Sequence, residues 1–170
     1  MSTSPNPSTT VTAAPTAAPP PVSYAVAARR HMIDAENLFK ANRLANAGQL
    51  YGFVAECGLK ALLIASGIAP GNDGGIPMAH PAKPSKTHPL RSHMPKLSAG
   101  VSIHGQLIPD GQRAQAYMAT MPSISLYNDW SIDHRYWHDA ALPLASVASW
   151  RIAAIEVGKM LDQAKQDGVL

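Results

Sequence analysis

Two charged residues, Glu56 and Lys60, interrupt the apolar segment "YGFVAECGLKALLIASG" between Tyr51 and Gly67. They are spaced i,i+4 with the acid on the N-terminal side, which is the better order for an ion pair on a helix. One interpretation is a solvated stripe that also contains Gln49. The other is a partly buried pair at a cleft or dimer seam, in which Glu56 orients a functional arginine or histidine. Only the second interpretation predicts a binding or orienting role for Glu56 and Lys60, and the sequence leaves both interpretations open.

A second group of chemically capable residues lies at 133–139, where the chain reads "DHRYWHD". Metal-free cleavage of RNA needs a general base, a general acid and a cation. His134 or His138 can supply the acid–base chemistry and Arg135 the phosphate contact, while Tyr136 or Trp137 offers a face on which a base can stack. The alternative is structural: Trp130, Tyr136 and Trp137 fix an irregular segment onto the fold, and Arg135 pairs with an acid such as Glu56.

The remaining reactive side chains indicate no metal or cofactor. His134 and His138 are spaced like ligands on a helix, but no glutamate motif lies between them. The histidines at 80, 88, 93 and 104 fall in loops or short helices, where no special role is predicted. Cys57, the single cysteine, is expected to be a buried structural thiol. "PGNDGG" lacks the Lys-Ser/Thr ending and the preceding strand of a phosphate-binding loop.

The elements that carry these residues are predicted to be helical. Helical spacing favours a first helix from Tyr24 to about 46, with Ser23 as N-cap, and a second from about 47 to 66, so that the two form an antiparallel hairpin. A third helix is expected after Asp110 and a long one over 144–166, with an apolar stripe of Val147, Trp150, Ala154, Val157 and Leu161. Strand signals are almost absent. The fold class is therefore predicted to be all-α, with a long Pro/Gly-rich loop over 67–87.

Length and composition are those of a single domain. The chain has 170 residues and a net charge of +3, which permits contact with nucleic acid without requiring it. Residues 1–22 contain six prolines and no charged side chain, so they are predicted to be a disordered tail ahead of a domain over 23–170. With one cysteine, no apolar stretch of membrane-spanning length and no signal pattern, a cytoplasmic location away from the membrane is expected.

The segment "AECGLKALL" in the second helix resembles the HEPN superfamily (higher eukaryotes and prokaryotes nucleotide-binding domain). "HMPKL" at 93–97, together with Trp130, Arg135 and Tyr136, is similar to later landmarks of bacterial HEPN-like proteins. The resemblance implies an up-and-down bundle of four to five helices that forms a homodimer. It also implies action on RNA or a nucleotide in toxin–antitoxin systems or phage defence, beside a nucleotidyltransferase or antitoxin partner.

One feature of the ribonuclease members is missing. They carry an arginine, four to six further residues and then a histidine, and none of the seven arginines of this chain has a histidine at that distance. The nearest arrangement is Arg135 and His138, with two residues between them. Three functions stay open: a HEPN-like module that binds RNA, a nucleotide or a protein; a metal-independent ribonuclease that uses a shifted Arg135/His138 cluster; and a structural or antitoxin-like interaction protein.

Overall fold

A computed structural model describes residues 20–170, and this part of the chain is predominantly helical. The predicted all-α class is confirmed, since helices dominate and the described residues contain only one two-stranded sheet. The predicted disordered tail covers residues 1–22, and only residues 20–22 of it are among the described residues. Residues 20–170 contain five α-helices: α1 (Tyr24–Lys40), α2 (Leu44–Ala65), α3 (Lys96–Ile103), α4 (Gly111–Met118) and α5 (Val147–Gln166).

The turn between α1 and α2 lies earlier than the sequence predicts. Helix α1 ends at Lys40 and α2 begins at Leu44, whereas the boundary was expected near residue 46. Asn42 has a positive φ of 56°, a conformation that asparagine tolerates better than most residues. With neither proline nor glycine at 41–43, this break has no strong sequence signal.

Helix α2 is the centre of the fold, and it packs against both α1 and α5. Glycines let large side chains from other elements approach its backbone closely. A Cβ on Gly52 would lie 1.9 Å from a ring atom of Trp130, and one on Gly58 would lie 2.1 Å from a methyl group of Val157. The apolar stripe predicted for α5 is confirmed, since all five of its residues are buried.

A polar network ties the three long helices together. Arg151 of α5 donates two hydrogen bonds to the carboxylate of Glu36 on α1, at 2.7 and 2.8 Å. The Tyr51 hydroxyl of α2 donates to the same carboxylate at 2.8 Å. Bidentate arginine–carboxylate contacts have a fixed geometry, so this network restricts how the helices pack.

The segment predicted to be one long loop contains a small β-hairpin. Strands β1 (Ala79–His80) and β2 (Lys83–Thr87) pair antiparallel, with Ala79 opposite Thr87. Every residue of β2 is exposed, so the hairpin lacks the alternation of apolar and polar residues by which strands are recognised.

A chain of 3-10 helices connects α4 to α5, in agreement with the predicted irregular segment. Their bounds are Pro122–Asp129, Ile132–Tyr136, Asp139–Ala141 and Leu144–Ser146; two further 3-10 helices, Pro89–Arg91 and Gly105–Leu107, flank α3. Trp130 fixes the segment, because its indole is buried and donates to the Gly48 carbonyl at 3.1 Å. Tyr127 is also buried, and its hydroxyl lies 2.8 Å from the carbonyl oxygens of both Tyr51 and Trp150, which share its one hydrogen.

The predicted start of α4 is confirmed. Asp110 is its N-cap, and the carboxylate accepts the backbone N–H of Arg113 at 2.9 Å. Ser23 stands at the N-cap position of α1, but its side chain makes no capping hydrogen bond. Among the described residues, no helix combines the length and the apolar character that crossing a membrane requires.

Candidate functional site

Glu56 and Lys60 form a buried ion pair on α2, so the solvated stripe is wrong, while a position at a cleft or dimer seam stays a prediction. The Lys60 Nζ lies 2.7 Å from Glu56 Oε1, and the two side chains are only 7% and 10% exposed. The other carboxylate oxygen, Oε2, lies 2.8 Å from Nδ1 of His93. One buried carboxylate therefore joins a lysine of the same helix to a histidine that precedes α3.

This contact gives His93 a defined orientation. The Glu56 carboxylate can only accept hydrogen bonds, so a neutral His93 carries its hydrogen on Nδ1 and leaves a lone pair on Nε2. The His93 side chain is 54% exposed. An imidazole held in this way at a surface can exchange protons with a bound molecule or accept a hydrogen bond from it.

The sequence assigns His93 no special role and does not predict its contact with Glu56. Sequence spacing could not identify its partner, because 37 positions separate His93 from Glu56. The only available signal was the "HMPKL" segment of the resemblance, which begins at His93.

The suggested pairing of Arg135 with Glu56 is absent from the described residues. Glu56 contacts Lys60 and His93 instead. Arg135 is exposed, and its guanidinium lies over the ring of Tyr136, 4.6 Å from the ring centroid.

The candidate catalytic residues of 133–139 separate into buried and exposed groups. His134 is buried, with its ring 4.4 Å from that of Trp137 and 5.9 Å from that of Trp150. Burial lowers the pKa of His134, although Asp129 and Asp133 oppose this effect. Arg135, Tyr136, Trp137 and His138 are exposed. The predicted anchoring of the segment by Tyr136 and Trp137 is therefore wrong for Tyr136, which is 74% exposed, and partial for Trp137, which is 47% exposed.

Arg135 and Trp137, but neither Tyr136 nor His138, line a groove at the N-terminal end of α2. It consists of two adjoining cavities, of about 420 and 120 Å³, that share Ala45, Asn46 and Asp139. We call it the α2-end groove. Its wall on the α2 side contains Asn42, Arg43, Asn46 and Gln49, and its opposite wall contains His134, Arg135, Trp137 and Asp139.

The α2-end groove combines several kinds of polar group. Gln49 donates its amide to the Ile132 carbonyl at 3.3 Å, while its Oε1 atom is buried and has no hydrogen-bond partner among the described residues. The first backbone N–H groups of a helix have no partner inside the helix, so the start of α2 favours an anion. The groove therefore offers two arginines, side-chain amides, a carboxylate and an indole.

The remaining candidates show ordinary roles. Cys57 is partly buried, and burial raises the pKa of its thiol to about 11, so it is a poor nucleophile at neutral pH. Within residues 20–170, no group of three or more His, Cys, Asp or Glu side chains is arranged to hold a metal ion.

Comparisons of the chain with models of protein families, with curated proteins and with solved structures give no match.

Proposed function

We propose that the chain is a HEPN-like helical module that binds RNA or a nucleotide in the α2-end groove. The observation that carries this proposal is that the exposed Trp137 and Arg135 line one cavity of the groove, and that this cavity shares Asn46 with the adjoining cavity lined by Arg43. Sites for single-stranded nucleic acid combine an aromatic face, on which a base stacks, with cations for the backbone.

Each wall of the groove has a distinct part in binding. Trp137 stacks on a base, and Arg135 contacts the adjacent phosphate. Arg43 and the first N–H groups of α2 bind a second phosphate or the same one from the opposite side. Asn46 donates and accepts hydrogen bonds at a base edge, which can read its identity. Gln49 is held by the Ile132 carbonyl and its Oε1 atom is buried, so it supports the wall.

The hydrogen bonds that hold the two walls together support binding at this position. One wall is the first turns of the buried helix α2, and the other is held to it by the indole of Trp130 and the hydroxyl of Tyr127. Groups that are fixed before binding lose little conformational entropy when a ligand arrives.

Fluorescence anisotropy with a labelled single-stranded oligoribonucleotide tests the proposal. We expect the affinity to fall as salt rises, and to fall at least about fivefold in Trp137→Ala, the loss expected when one stacked base is worth about 1–3 kcal/mol. Trp137→Phe retains a stacking face and should keep most of the affinity. Arg135→Ala should weaken binding, whereas Arg30→Ala, which removes an exposed arginine of α1 outside the groove, should not. Unchanged affinity in Trp137→Ala would reject the groove as the binding site.

Cleavage of RNA is the second candidate, because Arg135 and His138 are both exposed on the same segment. The buried His134 is the weaker choice for acid–base chemistry. If the chain cleaves RNA, incubation of the protein with tRNA in EDTA should give cleavage that is lost in Arg135→Ala and in His138→Ala. Loss in His93→Ala but not in His138→Ala would assign the chemistry to the histidine held by Glu56. No cleavage over a wide range of concentrations would reject the ribonuclease.

The proposed HEPN-like identity extends to an up-and-down bundle arrangement, a homodimer, and a nucleotidyltransferase or antitoxin partner in toxin–antitoxin or phage-defence systems. Exposed apolar side chains on α1 and α5, namely Val26, Ile33 and Ile152, are available for contact with a second chain. Light scattering at high protein concentration should give twice the mass of the chain. A monomeric mass would contradict the homodimer.

A further inference from the structure

A separate pocket of about 360 Å³ lies beside the β-hairpin, in the part of the chain where the sequence predicts only a long loop. Its walls come from the segment after α2, the hairpin and the residues around Leu107. Apart from His88, every lining residue is a glycine or an apolar residue: Gly67, Ile68, Ala69, Pro77, Ala79, Pro81, Leu107 and Pro109. Pockets for small molecules are typically of this size, mostly apolar, and carry few polar groups.

His88 is the polar group of this pocket, and it is only 3% exposed. Its Nδ1 accepts the backbone N–H of Leu90 at 3.2 Å. A neutral histidine that accepts at Nδ1 carries its hydrogen on Nε2. None of the hydrogen bonds among residues 20–170 uses that Nε2–H group, and Nε2 is not one of the fully buried polar atoms that lack a partner. The lining of the pocket therefore contains a donor that is open to a hydrogen bond with a ligand's acceptor.

The neighbourhood keeps the His88 ring neutral. Burial lowers its pKa, and the nearby imidazoles of His80 and His104 lower it further. A neutral ring retains the hydrogen bond from Leu90 and presents a single donor to the pocket.

We propose that this pocket binds a small apolar molecule with a neutral carbonyl group, whose oxygen accepts the hydrogen of His88 Nε2. Apolar atoms of the ligand contact the alanine, proline, isoleucine and leucine side chains of the walls. No lining residue carries a permanent charge, so a carboxylate of similar size would lose its hydration without gaining an ion pair. This binding site is independent of the α2-end groove.

Three probes of nearly equal shape test the site by NMR titration of the isotopically labelled protein. Acetophenone supplies the carbonyl, α-methylstyrene replaces its oxygen with a CH₂ group, and benzoate replaces its methyl group with a charged oxygen. We expect acetophenone to shift the amide signals of Ile68, Ala79 and Leu107, and to bind about fivefold more tightly than α-methylstyrene, the effect of one net hydrogen bond. Benzoate should bind most weakly. Equal affinity for acetophenone and α-methylstyrene would overturn the role of His88.

Two variants locate the site. His88→Phe keeps a ring but removes the donor, so it should abolish the preference for acetophenone over α-methylstyrene. His88→Phe also deprives the Leu90 N–H of its acceptor. A second variant, Ala69→Phe, therefore fills the pocket without changing His88. Ala99→Phe, at an exposed alanine of α3 outside the pocket, is its control. Acetophenone binding that persists in Ala69→Phe, or that is absent from the unmodified protein, would overturn the proposal.

Discussion

Glu56 accepts hydrogen bonds from two basic side chains, and this explains how a carboxylate and an ammonium are accommodated in an apolar helix. Lys60 neutralises one oxygen inside the fold, and His93 covers the other near the surface. Neither charge is left without a partner, which would be far more costly than the pair itself.

Glu56→Gln removes the charge while it keeps the shape, so Lys60 becomes a buried cation without an anion. We expect the free energy of unfolding to fall by about 3 kcal/mol, the usual loss when one partner of a buried pair is removed. Urea denaturation followed by circular dichroism measures this change. The double variant Glu56→Gln/Lys60→Met should lose less than the sum of the two single variants. Lys159→Met, at an exposed lysine of α5, is the control and should change stability little. Additive losses would show that the two groups are not coupled.

The sequence predicts the Glu56–Lys60 pair but not its third member. Residues one helical turn apart are neighbours whatever the rest of the fold does, so their spacing is informative. His93 meets Glu56 only because the segment before α3 folds back onto α2, which depends on tertiary packing. The sequence offers Glu56 only as one acid with which Arg135 could pair, because it lacks this information.

At the scale of elements, the glycines of α2 and α5 have opposite surroundings. Gly52 lies against the Trp130 ring, whereas a Cβ on Gly158 would have no atom within 4 Å. Replacement of glycine by alanine should therefore lower the free energy of unfolding in α2 and raise it in α5.

Gly52→Ala should displace the Trp130 ring and reduce the free energy of unfolding by about 1–3 kcal/mol. Gly158→Ala should increase it by up to about 1 kcal/mol, because alanine is the better helix former and has room. Urea titrations of both variants, read by circular dichroism, give these values. Displacement of Trp130 should also change the tryptophan fluorescence of Gly52→Ala only. Equal stability of the two variants would contradict the close packing of Trp130 on α2.

Helices with an apolar stripe or a cap were predictable, and the segments between them were not. Asp110 and the stripe of α5 have local signals, and both predictions are confirmed. The β-hairpin is short and exposed, and its strand Lys83–Thr87 contains a proline, so it has no pattern of burial to detect. The 3-10 segments are held by single contacts such as that of Trp130 with Gly48, which local sequence does not encode.

Across the whole molecule, the contact of Glu36 with Arg151 and Tyr51 makes packing of the three long helices depend on pH. The hydrogen bonds from Arg151 lower the pKa of Glu36 below its usual 4.5, and the bond from Tyr51 adds to this effect. A carboxyl whose pKa is lower in the folded state stabilises the fold above its unfolded pKa. That stabilisation is lost as the pH falls through the folded pKa.

We expect the wild-type protein to be more stable than Glu36→Gln at pH 7, and the difference to shrink as the pH falls below 4.5. Thermal unfolding of both proteins from pH 7 to pH 3 measures it. Lys40 also lowers the pKa of Glu36, so Lys40→Met should reduce the difference slightly. A difference that is constant over the whole range would show that the ionisation of Glu36 does not contribute.

The overall class could be predicted from the sequence, because long helices dominate the described residues. For the α2-end groove, the sequence predicts candidate residues of only one wall. "DHRYWHD" identified Arg135 and Trp137, but the opposite wall lies about 90 residues earlier in the chain, at the α1–α2 turn. The two walls meet only because the segment after α4 folds back onto α2, and local sequence does not show this.

The central claim is that Trp137 and Arg135 border a binding groove for RNA or a nucleotide, and photocrosslinking tests it most directly. A single-stranded oligoribonucleotide containing 4-thiouridine is irradiated with the full chain, and the modified peptides are identified by mass spectrometry. The proposal predicts crosslinks at Trp137 or Tyr136 and in the first turn of α2, lost when unlabelled RNA competes. Crosslinks confined to other surfaces, or none at low salt, would contradict it.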